Sequence, residues 1–339
     1  MEGIWAAVWL AAAEYEAGQA EAARTKMKAA VPDANRVNQA AVIAARQARE
    51  WLSRLRRDPE CRSYLRGLFD KADRLESKFP PIRRQLRRLA HTIEVPTPNL
   101  IIRAFGTSQV WVNGTGVSGK EWQTQSVREL FFFFLGANRP FTREQVGSAL
   151  WPGIEEPGRL KMRFKNEMYR LRRAVGQDTI LFDGETYSFD ASADHEYDVE
   201  AFEAFLRKAK SATKTADKIS FYERAINLVQ GRYLEDISAS WVIPEQERLH
   251  RVYLSAVLAV AELYQKEGKT PQAVEVCQRA LALDKTAEPV YRVLMHIFSR
   301  LGDKASVVHI FQNCEAIMKD VFGLPPSEET QEMYRKLTA

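Results

Sequence analysis

Residues 158–175 read GRLKMRFKNEMYRLRRAV, and the reading of the whole chain turns on this stretch. Its apolar residues Leu160, Phe164, Met168, Leu171 and Val175 recur at spacings of 4, 4, 3 and 4, which makes one buried stripe on a helix of 3.6 residues per turn. Arg159, Arg163, Asn166, Arg170 and Arg173 then fall away from the stripe, with Met162 beside them and Lys161, Lys165 and Arg172 on the flanks. Arginine can bond guanine bidentately and asparagine can do the same to adenine, while lysines and the outer arginines neutralise phosphates. Seven Lys or Arg stand here against the single acid Glu167, the local excess a nucleic-acid reader needs. A charged helix face alone is usually only solvated, so the neighbouring segments decide.

Upstream, Thr142 to Trp151 reads as a helix whose start carries a capping box, Thr142 with Gln145. Thr124 to Gly136 is an earlier helix with Val127, Leu130, Phe131 and Phe134 on one face. Before it lie short β-rich runs, Leu100 to Phe105 and Gln109 to Asn113, with Asn113-Gly114 turning into a third strand. Downstream, Ile180 to Phe182 and Tyr187 to Phe189 flank Asp183-Gly184, a strong hairpin signal. Strands, three helices and a hairpin in that order predict a winged helix-turn-helix over residues 100–190, with helix 158–175 as its reading helix.

Around this module the period is helical. Residues 4–30 and 33–57 read as a helical hairpin separated by Val31-Pro32-Asp33, with Asp33 as N-cap, and Trp9 to Ala22 resembles one tetratricopeptide unit turning at Gly18. Helix continues over 58–93 until Pro80-Pro81 breaks it ahead of a basic turn, and 95–99 (Val-Pro-Thr-Pro-Asn) is the linker. Residues 1–94 thus form a tetratricopeptide-like segment, and since such a solenoid needs about three repeats, the expectation is that it ends a longer N-terminal region. The last region, 191–339, is all helical from Asp198 onward. Ala261, Leu263, Tyr264, Gly268, Ala273 and Ala280 find Met295, Ile297, Phe298, Gly302, Val307 and Cys314 at a constant offset of 34, the tetratricopeptide period. The predicted fold class is mainly α with a small β component, a winged helix-turn-helix flanked by tetratricopeptide-like helices.

Composition and charge narrow the function. The chain has 339 residues, 45% hydrophobic and 27% charged, values of a folded multi-domain protein. Its apolar runs are too short to span a bilayer, and the N-terminus has acidic residues in place of a basic leader, so a cytoplasmic location without membrane contact is expected. Three scattered cysteines, Cys61, Cys277 and Cys314, suit neither disulfides nor a zinc cluster. Lys and Arg against Asp and Glu count 18 to 12 over residues 1–99, 12 to 10 over 100–190 and 19 to 22 over 191–339, which makes the last region a poor phosphate binder. The basic run 46–88 reads as a solvated helix face. Gly114 to Lys120 matches the first seven positions of a phosphate-binding loop, but Glu121 replaces the magnesium-binding hydroxyl. The five histidines show no metal-ligand spacing and no local signature suggests a catalytic triad, so no cofactor, metal site or enzymatic activity is expected.

Phe105-Gly106, Val110-Trp111-Val112, Gly114, Trp122, Phe141 to Glu144, Leu150-Trp151-Pro152, Tyr169 to Arg173, Gly184 and Tyr187 to Phe189 together resemble the OmpR-type winged helix of the Streptomyces antibiotic regulatory protein family. The part from Asp198 through Phe202-Glu203 to Leu337 resembles that family's bacterial transcriptional activator domain. The resemblance implies a transcription activator on double-stranded DNA, with RNA polymerase, a second copy or a protein partner meeting the repeats. By position it makes Arg163, Asn166 and Arg170 groove contacts, Arg172 and Arg173 phosphate contacts, and Glu185 or Thr186 the wing tip; Arg159, Lys161 and Lys165 complete the expected DNA-binding set. The acidic loop Gly153 to Pro157 would repel phosphate and fits a polymerase-facing or purely structural role. The alternative is a protein-interaction or sensor module whose winged helix is a docking surface.

Overall fold

A computed structural model describes residues 2–31, 39–76, 78–89, 97–137 and 139–339. The expected N-cap Asp33 and the Val95-Pro96 half of the linker lie outside them. The chain divides into two compact units, residues 1–96 with 192–194, and residues 97–191 with 195–339.

The first unit is helical: α1 Glu2–Glu16, α2 Ala20–Ala30, α3 Gln39–Gln47, α4 Arg49–Leu55, α5 Pro59–Glu76 and α6 Phe79–Leu89. The stretch expected as one helix over 4–30 is two. Gly18 adopts φ +79°, and Gln19 N–H bonds Glu14 O while Gly18 N–H bonds Tyr15 O, the left-handed stop that favours glycine. Small residues let α1, α2 and α3 approach closely, with Ala11, Ala23, Ala44 and Ala45 fully buried beside Leu52, Leu65 and Leu68. Asp58 caps α5, its Oδ1 accepting from Glu60 N–H and Cys61 N–H while Arg24 bonds Oδ2. That guanidinium holds the Asp58 carboxyl below the usual range. Pro80-Pro81, expected as a break, instead lies in the first turn of α6, where missing N–H groups cost nothing; the basic turn is helical.

The second unit begins with a four-stranded sheet of order β3-β2-β1-β7, in which β1 (Leu100–Arg103), β2 (Gln109–Val112) and β3 (Thr115–Gly116) are antiparallel and β7 (His195–Tyr197) runs parallel to β1. A four-residue helix, α7 (Gly119–Trp122), follows β3, capped reciprocally by Ser118 and Glu121. The string that mimics a phosphate loop is therefore a turn, a strand end and a helix cap, and Glu121 serves the cap. Then come α8 (Gln125–Gly136), β4 (Phe141–Thr142), α9 (Arg143–Leu150) and α10 (Pro157–Val175), followed by β5 (Ile180–Asp183) and β6 (Thr186–Phe189). β4 joins the hairpin in a sheet of order β4-β6-β5. The remainder is α11 (Asp198–Ser211), α12 (Thr215–Leu228), α13 (Ile243–Lys266), α14 (Thr270–Leu283), α15 (Glu288–Arg300), α16 (Lys304–Phe322) and α17 (Glu328–Thr338).

The 34-residue offset has a structural basis. Gly268 and Gly302 stand at φ +72° and +75°, and Lys269 N–H to Tyr264 O and Asp303 N–H to Phe298 O repeat the bond seen at Gly18. Ala261 and Met295, Ala273 and Val307, and Ala280 and Cys314 are buried in matching pairs. The three cysteines are buried free thiols. Among the described residues no helix is long and apolar enough to cross a membrane.

One apolar cluster runs from Leu100 through the α8 phenylalanines to Ile297, so the winged helix and the repeats share a core. Their seam is polar as well. Asp198, only 1% exposed, accepts from Ala104 N–H and Phe105 N–H at 2.8 and 3.1 Å through Oδ2 and from Val199 N–H at 2.9 Å through Oδ1. Asp236 accepts from Ser108 and pairs with Arg128 at 2.8 Å. Gly106 N–H bonds Arg232 O, and Leu234 N–H bonds Ala104 O.

Candidate nucleic-acid interface

Helix α10 begins at Pro157, where a proline loses no helical bond, and ends at Gly176, φ +105°. Leu160, Phe164, Met168, Leu171 and Val175 are all buried, so the stripe read from their spacing is the inward face. It rests on α8 and α9. A Cβ on Gly147 would lie 2.5 Å from Leu160 Cδ1, so glycine sets how closely α9 meets α10. Trp151 packs on Phe164 with ring centroids 6.4 Å apart and donates from Nε1 to Ser126 Oγ at 2.9 Å.

The outward residues divide into two groups. Arg159, Lys161, Lys165, Asn166 and Arg173 are exposed. Arg163, Arg170 and Arg172 are half-buried and engaged with the protein. The Arg163 guanidinium lies 4.8 Å from the Trp151 ring centroid, Arg170 pairs with Glu167 at 3.5 Å, and Arg172 donates to Ile180 O at 3.3 Å at the base of the hairpin. Such contacts fix a guanidinium in place. Glu167, the one acid of the stretch, is buried, with Thr124 Oγ1 donating to its carboxylate. Hence the outward face of α10 carries no carboxylate. At its N-terminal end the exposed loop residue Glu156 stands 4.0 Å from Arg159.

Two residues on this face escaped the expected set of contacts. Tyr169 is 62% exposed and Met162 is 57% exposed, both opposite the stripe. The 100° rotation per residue that sets Met162 beside the outward arginines sets Tyr169 there too. The hairpin tip presents Asp183, Glu185 and, half-buried, Thr186 around Gly184, φ +65°. Leu181 and Phe182 are exposed on its first strand, and residues 180–189 hold no Lys or Arg. Positive charge at this surface therefore comes from α10.

The fold and this geometry define a mainly α protein in which a winged helix-turn-helix is joined to tetratricopeptide-like helices. Residues 197–338 match the family model of the bacterial transcriptional activator domain. Among solved structures the chain is similar to Mycobacterium tuberculosis EmbR in complex with a low-affinity phosphopeptide, with a TM-score of 0.55 and 16% identity over 71% of this chain. The match spans 65% of that protein's chain and bears on the fold alone. No curated protein matches the sequence.

Proposed function

We propose that the chain is a sequence-specific DNA-binding transcription regulator, an activator working in the cytoplasm, that reads the major groove with α10 and meets RNA polymerase or a second copy through its helical repeats. The observation that carries this is the outward face of α10, cationic, free of carboxylates and set between a preceding helix and a wing. The match of residues 197–338 to an activator domain supports it. In this reading the DNA module is OmpR-type and spans 100–190, and the activator domain spans 191–339. Arg159, Lys161, Lys165, Arg172 and Arg173 neutralise phosphates, Asn166 with the held guanidinium groups of Arg163 and Arg170 meets base edges, and the tip at Glu185 and Thr186 lies beside the minor groove.

Selection from a randomised duplex pool tests the proposal. One sequence should be enriched, and Asn166→Ala should relax the preference at one base pair by about 1–3 kcal/mol. Recovered duplexes no different from the input pool would sink it. A second reading, a protein-docking surface, draws on the exposed Met162, Tyr169, Leu181 and Phe182, and predicts that no sequence is enriched.

A further inference from the structure

Resting on that reading, we infer that Met162 and Tyr169 select thymine, by touching the C5-methyl group that it presents in the major groove. Seven residues are two helical turns less about 20°, so the two side chains stand in line on the outermost edge of α10. They flank Asn166, and each is more than half exposed. Among the described residues of the second unit none covers them. Their neighbours on that edge, Lys165, Asn166 and Arg173, are polar and exposed, so the two apolar side chains sit within a surface suited to a polyanion. In B-DNA the thymine methyl is the apolar group that the major groove offers to such side chains. Tyr169 is also steadied, since the Arg173 guanidinium lies 5.9 Å from its ring centroid. Met162 supplies the complementary quality, a flexible and polarisable thioether that adapts to a small apolar target. Along the helix axis the two lie roughly 10 Å apart, which is about three base-pair steps.

The test takes the duplex recovered from the pool and replaces its thymines one at a time by uracil, which removes the methyl and keeps the pairing. Two positions, about three base pairs apart, should each bind about fourfold more weakly, the worth of one buried methyl-sized group. At one of these positions the uracil penalty should vanish in Met162→Gln, and at the other in Tyr169→Gln. Because both sites are exposed helix positions, thermal unfolding of each variant should match that of the parent. Uracil tolerated at every position of a duplex that is still bound specifically would overturn the inference and leave the DNA-reading proposal standing. Penalties that persist in both variants would also overturn it, by assigning the methyl contact to other residues. A pool with no enriched sequence would remove the proposal and this inference together.

Discussion

Asp198→Ala is expected to lower the stability of the second unit by about 3–5 kcal/mol, since each buried donor left without an acceptor costs about 1–3 kcal/mol and the losses overlap. The carboxylate accepts from three backbone N–H groups, those of Ala104, Phe105 and Val199, and at 1% exposure water cannot replace it. These bonds join the end of β1 to the start of α11. Asp198→Asn should recover part of the loss, because its amide oxygen can still accept from Ala104 and Phe105 while its NH2 meets the Val199 donor. Denaturant unfolding followed by tryptophan fluorescence and by helix signal measures both variants. A loss below about 1 kcal/mol for the alanine variant would show that the junction does not rely on this acceptor. Burial, outweighing the three donors, raises the Asp198 carboxyl above its usual range. The native state therefore holds this proton more tightly than the unfolded chain does. The stabilisation linked to Asp198 is full at pH below the ordinary carboxylate value and is lost as pH rises through the raised one.

Gly231→Ala is expected to cost about 1–3 kcal/mol, the usual penalty for forcing extra volume into a packed site. A Cβ at that position would lie 2.8 Å from the Gly106 Cα and 2.6 Å from Glu235 Oε2. Glu235 can turn away. The Gly106 backbone cannot move without loosening its 2.9 Å bond to Arg232 O and the neighbouring 2.7 Å bond from Leu234 N–H to Ala104 O. Both substitutions should shift one cooperative transition and create no second one, because a single core runs from the winged helix into the repeats. Separate transitions for the two modules would contradict this view of the seam.

What was legible in the sequence was local. The α10 stripe, the Thr142–Gln145 capping box, the Asp183-Gly184 turn and the 34-residue offset each rest on a period or a pair of residues close in the chain, and each has its counterpart in the structure. Features that depend on distant partners were not. β7 pairs with β1 across about ninety residues, and β4 is only two residues long, too short to carry an alternation. Asp198 reads in the sequence as the start of a helix, and its role as an acceptor appears only when β1 lies beside it. Alanine-rich α1 has so little contrast between its faces that periodicity alone runs on from 4 to 30 as one helix, and only the tetratricopeptide likeness marks the turn at Gly18. Proline misled at 80–81 because it can open a helix as well as end one. On α10 the stripe was legible, but which arginines are held by the protein was not, since Trp151, Glu167 and Ile180 had first to be placed.

The central claim, that the outward face of α10 engages DNA, is tested most directly by the salt dependence of affinity for a duplex recovered from the randomised pool. Affinity should fall steeply between about 50 and 200 mM salt as counterions compete for the phosphates. Lys165→Ala and Arg173→Ala should each reduce the slope of log affinity against log salt by about 1, with the unfolding transition unchanged. A slope that is the same in the parent and in both variants would contradict the account.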